Sequence, residues 1–365
     1  MRAALVGTGL IGASLGMALL RSDEVTSISG YDRNADELQT ALERGAITDM
    51  ATDARQAVTG ADLVILAVPV SAMGPVMRDI APSLREGAIV TDVASVKSEA
   101  VRVLEAAAPA GVHVIGGHPM AGSHEHGAEH ACADLFVGAT YLLTPTQQTD
   151  SAAYSTVHQL VVDIKARPLA VDPDHHDQLV AIISHLPQLA ATTLMNLASE
   201  RAQAEHAGLL LLAAGGFRDA TRVAASNPDL WLDICDQNGA AITAVLDEYG
   251  NRIADLRDAI AGKDWKGVCS RLSAARTARQ GMPGKESVTG ALVELVLPIP
   301  DRPGVLAEVT TSVGSIGVNI EDLGIEHAPE GGGGRLRLAI IGTAEAERAV
   351  AILVDRGYEV LREEL

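Results

Sequence analysis

The chain has 365 residues and a formal net charge of −19, and it is long enough for two or three domains with cores of their own. The charge argues against a nucleic-acid surface, because such surfaces need clustered lysines and arginines to displace counterions. The three cysteines form no C-x-x-C pair, which fits a reducing compartment better than a disulfide framework. We find no cleavable leader pattern and no apolar run of roughly 18 to 20 residues, so we expect a cytoplasmic protein without a membrane or nucleic-acid partner.

A glycine-rich loop near the N-terminus predicts a dinucleotide site. Residues 3–6 form a short apolar strand, the pattern G-T-G-L-I-G follows at once, and residues 13–20 have helical spacing. In this context the first glycine permits a tight turn, the second lets the backbone approach a pyrophosphate, and the third lets the helix pack close to the strand. The N–H groups at the helix N-terminus can then bind the phosphates. The predicted cofactor-binding residues of this loop are Gly7, Gly9, Leu10, Ile11 and Gly12.

Asp32 indicates which dinucleotide binds. It ends the second predicted strand, residues 27–31, about twenty residues after the last glycine of the loop. A carboxylate at this place can bond the ribose hydroxyls and would repel a 2′-phosphate, so NAD is favoured over NADP. Arg33 is the one dissenting residue, because an arginine can accommodate that phosphate.

The stretch GGHPMAGS, residues 116–123, contains a candidate general base. It follows a short predicted strand, residues 112–115, and its glycines and proline suggest a fixed turn that holds His118 in a crevice. Ligands of open α/β sheets bind at such strand ends, and histidine can exchange a proton near neutral pH. The alternative is a structural histidine that caps a helix or bonds a backbone carbonyl.

Two other features of this region have competing interpretations. Ser95 stands between a predicted strand and a predicted helix, where it is either an N-cap or a hydroxyl beside the nicotinamide and the substrate. Taken singly, the N-cap is the simpler interpretation. The spacing of His124, His126 and His130 suggests a metal site, but no fourth ligand is evident. A solvated loop or helix start is favoured there, and we expect no metal.

Residues 173–280 carry helical patterns with few strand signals. His185 precedes Pro187, a proline that interrupts the helical pattern and frees a carbonyl. Arg218 and Arg222 are four residues apart, which predicts one helix face; they form either surface ion pairs or a guanidinium fork for a substrate carboxylate. The alanine-rich amphipathic helices suit a dimer interface as well as a monomer core.

The C-terminal region returns to β patterning after a linker at residues 281–286. Its elements follow the order βαββαβ in about 75 residues, the ferredoxin-like order. With an aliphatic rather than aromatic composition, the chain is predicted to be an α/β protein with three domains. These are a Rossmann-type dinucleotide-binding domain (1–172), an all-α substrate and dimerisation domain (173–282) and a ferredoxin-like domain (290–365).

Four stretches together resemble the prephenate dehydrogenase family, also called the TyrA family of tyrosine biosynthesis. They are the glycine loop with Asp32, GGHPMAGS, SHLPQ, and GGFRDATRVAASNPDLW; the C-terminal DRPGVL resembles an ACT domain, an amino-acid-sensing module. The resemblance covers essentially the whole chain. It implies NAD-dependent oxidative decarboxylation of prephenate to 4-hydroxyphenylpyruvate, in which the ring hydride passes to NAD and the ring carboxylate leaves as CO2.

The resemblance also implies roles for individual residues. His118 matches the catalytic histidine that accepts a hydrogen bond from the ring hydroxyl and acts as a general base. Ser95 matches a serine that orients this histidine and the hydroxyl. Arg222 matches the arginine that binds the substrate carboxylate, and His185 matches a second histidine on the substrate side. Arg218 has weaker support and can equally be structural.

The C-terminal domain implies regulation. We expect tyrosine or another aromatic amino acid to bind at the DRPG turn, where a glycine lets backbone N–H groups approach a carboxylate. ACT modules commonly pair edge to edge, so a homodimer is expected, and the predicted effector residues are Asp301, Gly304 and Asn319. The alternative is a packing domain that binds no ligand.

Two features leave the substrate open. The family often has an acidic residue six positions after the catalytic histidine, where this chain has His124 followed by Glu125, so neither residue is assigned. Arogenate carries an ammonium group that would favour a nearby carboxylate. Residues 184–188 contain a histidine and a glutamine but no acid, which favours prephenate over arogenate.

Two other classes of protein remain as alternatives. A β-hydroxyacid dehydrogenase also pairs a Rossmann domain with helices, but it usually relies on a lysine base, and no lysine occurs between Lys165 and Lys263. The other alternative is an amino-acid sensor whose dinucleotide domain has lost its catalytic function. The glycine loop is intact, and Asp32, His118 and Arg222 are present, which argues against that loss.

Overall fold

The structure is a computed structural model that describes residues 1–122, 125–204, 208–281, 292–300, 302, 304–320, 322–327 and 334–364. Its contacts divide the chain into two units. The first contains Met1–Asp177, Pro228–Gln237 and Ala291–Leu365, and the second contains Gln178–Asn227 and Asn238–Gly290. The C-terminal region therefore groups with the nucleotide-binding region. The division into domains 1–172, 173–282 and 290–365 stays a prediction.

An eight-stranded sheet forms the centre of the first unit. In chain order its strands are β1 (Arg2–Val6), β2 (Ser27–Tyr31), β3 (Asp49–Met50), β4 (Leu63–Leu66), β5 (Ile89–Asp92), β6 (His113–Pro119), β7 (Thr140–Thr144) and β8 (Arg167–Ala170). They lie in the order β3-β2-β1-β4-β5-β6-β7-β8. The first six are parallel, whereas β7 runs antiparallel to β6 and parallel to β8. The order 3-2-1-4-5-6 confirms the predicted Rossmann-like α/β fold.

Helices connect these strands: α1 (Leu10–Leu20), α2 (Ala35–Glu43), α3 (Ala54–Val58), α4 (Val70–Ile80), α5 (Ser98–Ala107) and α6 (Ser151–Asp163). Every residue of β4 and β5 is buried, as expected for parallel strands covered on both faces. The side chains of Asn34, Asp53 and Asp150 accept backbone hydrogen bonds at the starts of α2, α3 and α6. These caps fix where each connecting helix begins.

The predicted helical region contains α7 (Pro173–Val180), α8 (Leu186–Ala204), α9 (Gly215–Thr221), α10 (Pro228–Gln237), α11 (Gly239–Ala261) and α12 (Trp265–Gln280). A π-helical turn, Ala181–His185, joins α7 to α8, and the N–H of Leu186 bonds to the carbonyl of Ala181. This wider turn ends two residues before Pro187. It is therefore the interruption of the helix that the proline predicted.

Parts of the helical region belong to the first unit because of two acidic side chains. Asp233 of α10 accepts hydrogen bonds from the backbone N–H groups of Val70 (2.9 Å) and Ser71 (3.3 Å), at the N-terminus of α4. Asp177 of α7 bonds in the same way to the N-terminus of α5. Carboxylates are favourable at helix N-termini, so these contacts hold the start of α7 and all of α10 against the sheet unit.

The second unit exposes much apolar surface. The helical stretch Pro173–Ala204 is long and apolar enough to cross a membrane by length and composition, which corrects the expectation that no stretch reaches that length. Buried helices of globular proteins can pass the same test, but only 28% of its most apolar window is buried in this chain. Further along, Leu211 and Leu272 are 88% and 65% exposed. Apolar surface of this extent indicates an interaction face.

The C-terminal region forms a second, antiparallel sheet. Its elements are β9 (Leu292–Ile299), α13 (Val305–Ser315), β10 (Asp322–His327), β11 (Gly334–Ile341), α14 (Thr343–Asp355) and β12 (Leu361–Glu364), and its strand order is β10-β11-β9-β12. The buried apolar residues of α13 and α14 form part of one core with those of β9 and β11. His158 of α6 lies 2.8 Å from the carboxylate of Asp322, which ties this sheet to the larger one.

Candidate functional site

The glycine loop after β1 is shaped for a dinucleotide. Gly7 has a φ of +96°, and a Cβ there would lie 2.3 Å from the carbonyl oxygen of Ala67. A Cβ on Gly12 would lie 2.2 Å from the carbonyl oxygen of Gly7, so both positions exclude a side chain. A Cβ on Gly9 would meet nothing within 4 Å, which leaves the backbone open to a ligand. Leu10 and Ile11 begin α1, whose N-terminus has no side-chain cap.

Asp32 follows β2 and lies beside this loop. One of its carboxylate oxygens accepts the backbone N–H of Thr8 (2.7 Å), and the other accepts that of Asn34 (2.9 Å). These bonds fix the orientation of the carboxylate while leaving lone pairs for ribose hydroxyls. Arg33 is exposed. An uncapped helix N-terminus beside a fixed carboxylate fits the pyrophosphate and ribose of a dinucleotide.

His118 lies within a strand, not in the turn that we expected. The strand predicted to end at residue 115 continues to Pro119, because residues 116–119 pair with β7. A Cβ on Gly116 would lie 2.2 Å from Oγ1 of Thr144, and one on Gly117 would lie 2.6 Å from the carbonyl oxygen of Asp92. The two glycines therefore permit close strand packing. His118 is 7% exposed, so its imidazole is almost fully covered by protein.

Two residues of α7 extend the environment of His118. Nδ1 of His118 lies 2.8 Å from Nε2 of His176, and Nδ1 of His176 lies 2.8 Å from Oδ1 of Asp177. The carboxylate of Asp177 also accepts the backbone N–H groups of Lys97 (2.7 Å) and Ser98 (2.9 Å). All three side chains of this His–His–Asp chain are buried. The bond to His176 engages Nδ1 of His118, and the proton exchange with a substrate that the resemblance implies stays a prediction.

The electrostatics of the His–His–Asp chain favour a neutral His176 and an ionised Asp177. Burial lowers the pKa of His176, an effect opposed by its hydrogen bond to Asp177 and reinforced by the charge of Lys97. Burial alone would raise the pKa of Asp177, but the hydrogen bond with His176 and those from the N–H groups of Lys97 and Ser98 bring it below its usual range.

Lys97 and Asp92 form a fully buried ion pair beneath the site. The ammonium group of Lys97 also donates to the carbonyl oxygen of Gly117 (2.7 Å), the residue before His118. Burial lowers the pKa of Lys97, and the neighbouring charge of Asp92 opposes that shift. The pair thus joins the end of β5, the residue before α5 and the backbone next to His118.

Ser95 is not an N-cap, which corrects the simpler of its two interpretations. The residue at the N-cap of α5 is Lys97, and α5 begins only at Ser98. Ser95 lies partly exposed in the loop between β5 and α5, two residues before the buried ion pair. Its role beside the nicotinamide and substrate stays a prediction.

The predicted substrate-binding residues lie in the second unit. His185 is buried in the π-helical turn, with Nδ1 3.3 Å from the amide nitrogen of Asn238. Arg222 is exposed and begins a short 3-10 helix, Arg222–Ala225, because α9 ends at Thr221. Arg218 and Arg222 therefore do not share one α-helix as expected, and Arg218 donates to the carbonyl of Ala213 (3.1 Å). The roles of His185 and Arg222 stay predictions.

In the histidine-rich loop, one histidine lies close to two carboxylates. His130 lies 3.4 Å from the carboxylate of Glu125 and 3.3 Å from that of Glu129, while His124 lies outside the described residues. Within the described residues, no group of three or more His, Cys, Asp or Glu side chains could hold a metal ion.

The predicted effector residues do not all come together. Asp301 lies outside the described residues. Gly304 has a φ of +88°, precedes α13 and lines a cavity of about 1150 Å³ between α13 and α5. Asn319 is exposed in the segment before β10 and does not line that cavity.

Comparison with known proteins identifies the family. Residues 15–170 match the family described as "Prephenate dehydrogenase, nucleotide-binding domain", and residues 172–274 match "Prephenate dehydrogenase, dimerization domain". The chain belongs to the prephenate dehydrogenase family. The predicted resemblance is thereby confirmed for the nucleotide-binding and helical regions of this dehydrogenase.

Individual relatives cover different parts of the dehydrogenase. Prephenate dehydrogenase of Bacillus subtilis is 32% identical over 97% of this chain and 96% of its own length. The crystal structure of Aquifex aeolicus prephenate dehydrogenase with hydroxyphenyl propionate and NAD+ is 28% identical, with a TM-score of 0.72 over 77% of this chain and 97% of its own. Synechocystis arogenate dehydrogenase is 31% identical, with a TM-score of 0.65 over 77% and 99%. The Bacillus relative thus also spans the C-terminal region.

Sequence reasoning missed four residues around the histidine of the dehydrogenase. His176 and Asp177 had no predicted role beyond opening a helix, and Lys97 and Asp92 were unassigned. A lysine five residues after a buried strand and an H-H-D run at a helix start were the only signals. Neither pattern indicates burial or pairing, because His118 and His176 are 58 residues apart in the chain, and Lys97 and Asp177 are 80 apart.

We expect replacement of Lys97 to destabilise the dehydrogenase strongly. Lys97→Met leaves Asp92 buried without its counter-charge, and removing one partner of a buried ion pair costs about 3–5 kcal/mol. Urea unfolding should show this loss in the free energy of unfolding. The matched control is Lys266→Met at an exposed lysine, which should change it by less than about 0.5 kcal/mol. A loss for Lys97→Met as small as that of the control would contradict the role of the pair.

Proposed function

We propose that this enzyme converts prephenate to 4-hydroxyphenylpyruvate and CO2 with reduction of NAD. The observation that carries the proposal is a buried histidine, His118, on the sheet whose glycine loop is shaped for a dinucleotide. NAD is the cofactor of this dehydrogenase, in agreement with the carboxylate of Asp32 and with the NAD+ in the Aquifex relative. NAD supplies the acceptor for the hydride.

The work of the protein is to place a base against the ring hydroxyl of the substrate. The hydroxyl proton passes to Nε2 of His118 as the C4–H bond gives up its electron pair. The bond between the ring and its carboxylate then breaks, CO2 leaves, and the electrons of that bond make the ring aromatic. The proton finally returns to the phenolic oxygen, so His118 is regenerated. General-base catalysis of this kind contributes about 10²–10⁴-fold.

Three observations support prephenate over arogenate. Residues 184–188, around His185, include no acidic side chain to pair with the ammonium group of arogenate. Gln188 is buried there, and its amide oxygen lies 3.4 Å from the hydroxyl of Ser226, four residues after Arg222. A neutral amide at this place suits a pyruvyl side chain. The Bacillus relative that matches nearly the whole chain is also a prephenate dehydrogenase.

The reaction is tested by NADH formation from NAD with prephenate, with the product checked as 4-hydroxyphenylpyruvate. His118→Asn should lose a hundredfold or more in kcat, because it removes the base. His113→Asn, at the other end of β6, is the matched control and should retain activity. Turnover of arogenate alone would change the proposed substrate. Absence of turnover with both substrates would contradict the proposed reaction and favour the sensor alternative.

We further propose that the enzyme is a homodimer joined through its helical region. Leu197 of α8 and Ile253 of α11 are 55% and 48% exposed, and residues 172–274 match a dimerization domain. Such side chains are stabilised when a second copy covers them. The same surface explains the apolar helix Pro173–Ala204 without a membrane partner, in keeping with the expected cytoplasmic location.

Light scattering on the full chain should therefore give twice the mass of 37.9 kDa. The double variant Leu197→Glu/Ile253→Glu should shift the protein toward the monomer, because buried charges without partners oppose association. Gln203→Glu, at an exposed polar position of α8, should leave the dimer intact. A wild-type monomer at micromolar concentration would contradict the proposal.

We propose, finally, that the C-terminal region is a ferredoxin-like ACT module that binds tyrosine as a feedback inhibitor. Its support is the βαββαβ element order, with the first and third strands at the centre of the sheet. Gly304 opens α13 with a positive φ, and the cavity beside it is also lined by Ser98, Arg102 and Glu105 of α5. A ligand in this cavity would contact the helix whose first N–H groups bind Asp177.

Calorimetry with L-tyrosine should give a heat of binding for the wild type. Gly304→Ala should weaken binding at least tenfold, because a Cβ there would lie 3.1 Å from the carbonyl oxygen of Gln147 and φ is strained for alanine. Gly342→Ala, at a positive-φ glycine that does not line the cavity, is the matched control. No heat with any aromatic amino acid would favour a packing domain without a ligand.

A further inference from the structure

We propose that His176 and Asp177 are positioning residues that determine which ring nitrogen of His118 carries its proton. The inference rests on the proposed reaction, in which Nε2 of His118 must be free of a proton to accept one from the ring hydroxyl. It adds two residues to the machinery of the enzyme, neither of which need touch the substrate.

The carboxylate of Asp177 fixes the direction of the first hydrogen bond, the one between His176 and Asp177. Its Oδ1 accepts the N–H of Lys97, and its Oδ2 accepts the N–H of Ser98, at the N-terminus of α5. These partners are backbone donors with no alternative role, and the positive end of the helix dipole stabilises the ionised carboxylate. An ionised carboxylate can only accept hydrogen bonds. Nδ1 of His176, 2.8 Å from Oδ1, must therefore carry a hydrogen and donate it.

The second step is set by the burial of His176. Its side chain is fully buried, which disfavours the doubly protonated ring, and burial accordingly lowers its pKa. The charged groups that face it are Asp177, Lys97 and Asp92, and the cation of Lys97 lowers the pKa further. A neutral ring with a hydrogen on Nδ1 has a lone pair on Nε2. His176 is therefore an acceptor toward His118.

The third step fixes the tautomer of His118. Its Nδ1 lies 2.8 Å from Nε2 of His176, so it must supply the hydrogen of that bond. A neutral imidazole with its hydrogen on Nδ1 has its basic lone pair on Nε2, the nitrogen that the reaction requires. An imidazole without this partner exchanges between both tautomers, and one of them cannot accept a proton at Nε2.

The same two hydrogen bonds, from His118 to His176 and from His176 to Asp177, stabilise His118 after it has accepted the proton. The new N–H bond at Nε2 forms as the O–H bond of the substrate breaks, and His118 becomes a cation. Its Nδ1–H still donates to His176, whose own Nδ1–H donates to the anionic Asp177. The carboxylate therefore opposes the positive charge through two hydrogen bonds in a buried environment, where such bonds are strong. Loss of a comparable carboxylate in a serine-protease triad costs about 10⁴-fold in kcat.

The experiment compares two substitutions of His176, one that keeps a hydrogen-bond acceptor and one that removes it. The glutamine of His176→Gln can place an amide oxygen near the position of Nε2 and accept from His118, whereas His176→Phe fills the space without an acceptor. We expect kcat with prephenate and NAD to fall at least a hundredfold in His176→Phe and less than tenfold in His176→Gln. KM for NAD and the affinity for NADH should stay within about twofold of the wild type in both, which verifies the fold.

The pH profile provides a readout that packing alone would not move. Without an acceptor for Nδ1–H the protonated form of His118 is less stable, so its pKa falls and the acid limb of the kcat profile moves to lower pH. His176→Phe and Asp177→Asn should both show this shift, and His176→Gln should show less. Two results would overturn the proposal. One is an equal loss of kcat in His176→Phe and His176→Gln with no shift of the acid limb; the other is a near wild-type kcat in His176→Phe.

A measurement without turnover separates this inference from the proposed reaction. The ¹⁵N chemical shifts of the imidazoles in the labelled wild-type protein, with His118→Asn for assignment, report which nitrogen carries the hydrogen. We expect neutral His118 to be protonated at Nδ1 in the wild type and to lose this preference in His176→Phe. Protonation of His118 at Nε2 in the wild type overturns the proposed role of His176 and Asp177, even if prephenate is turned over. Protonation at Nδ1 with no turnover of either substrate upholds that role and overturns the proposed reaction.

Discussion

The buried ion pair between Lys97 and Asp92 is the constraint on which the site depends. Two charges without access to water are costly, and they are retained only where each has well-placed partners. Here the ammonium group also bonds the carbonyl of Gly117, so one side chain joins the end of β5 to the neighbouring strand β6. Lys97 is also the N-cap residue of α5. The position of His118 follows from these bonds.

The start of α5 connects the surroundings of His118 to the rest of the first unit. Its free N–H groups hold Asp177, and Asp177 brings the beginning of α7 to the sheet. Ser98, Arg102 and Glu105 of the same helix line the cavity beside the C-terminal region. A single helix thus packs against β6, the strand that contains His118, and lines the cavity of the proposed regulatory site. Coupling between them would have to act in both directions, so substrate would change the affinity for the effector.

The sequence was informative where chemistry is local. The glycine loop and Asp32 could be read directly, since strain at Gly7, packing at Gly12 and open space at Gly9 are requirements of one turn. The helical region and the order of the C-terminal elements could also be predicted from periodicity. Predictions that depended on where an element ends were less accurate. The strand containing His118 ran on because β7 pairs with it, and Ser95 proved not to cap α5.

By itself, the sequence determined the Rossmann-like fold, the nucleotide loop and the family, because these depend on short motifs and on hydrophobic periodicity. The sequence also identified His118 as a candidate base, because the residue lies in the GGHPMAGS motif. Only the tertiary structure decided what surrounds that histidine. His176 and Asp177 come from α7, Lys97 from the start of α5 and Asp92 from β5, and their significance lies in burial and mutual hydrogen bonding. Those properties arise when distant segments pack together, so no local pattern of residues can reveal them.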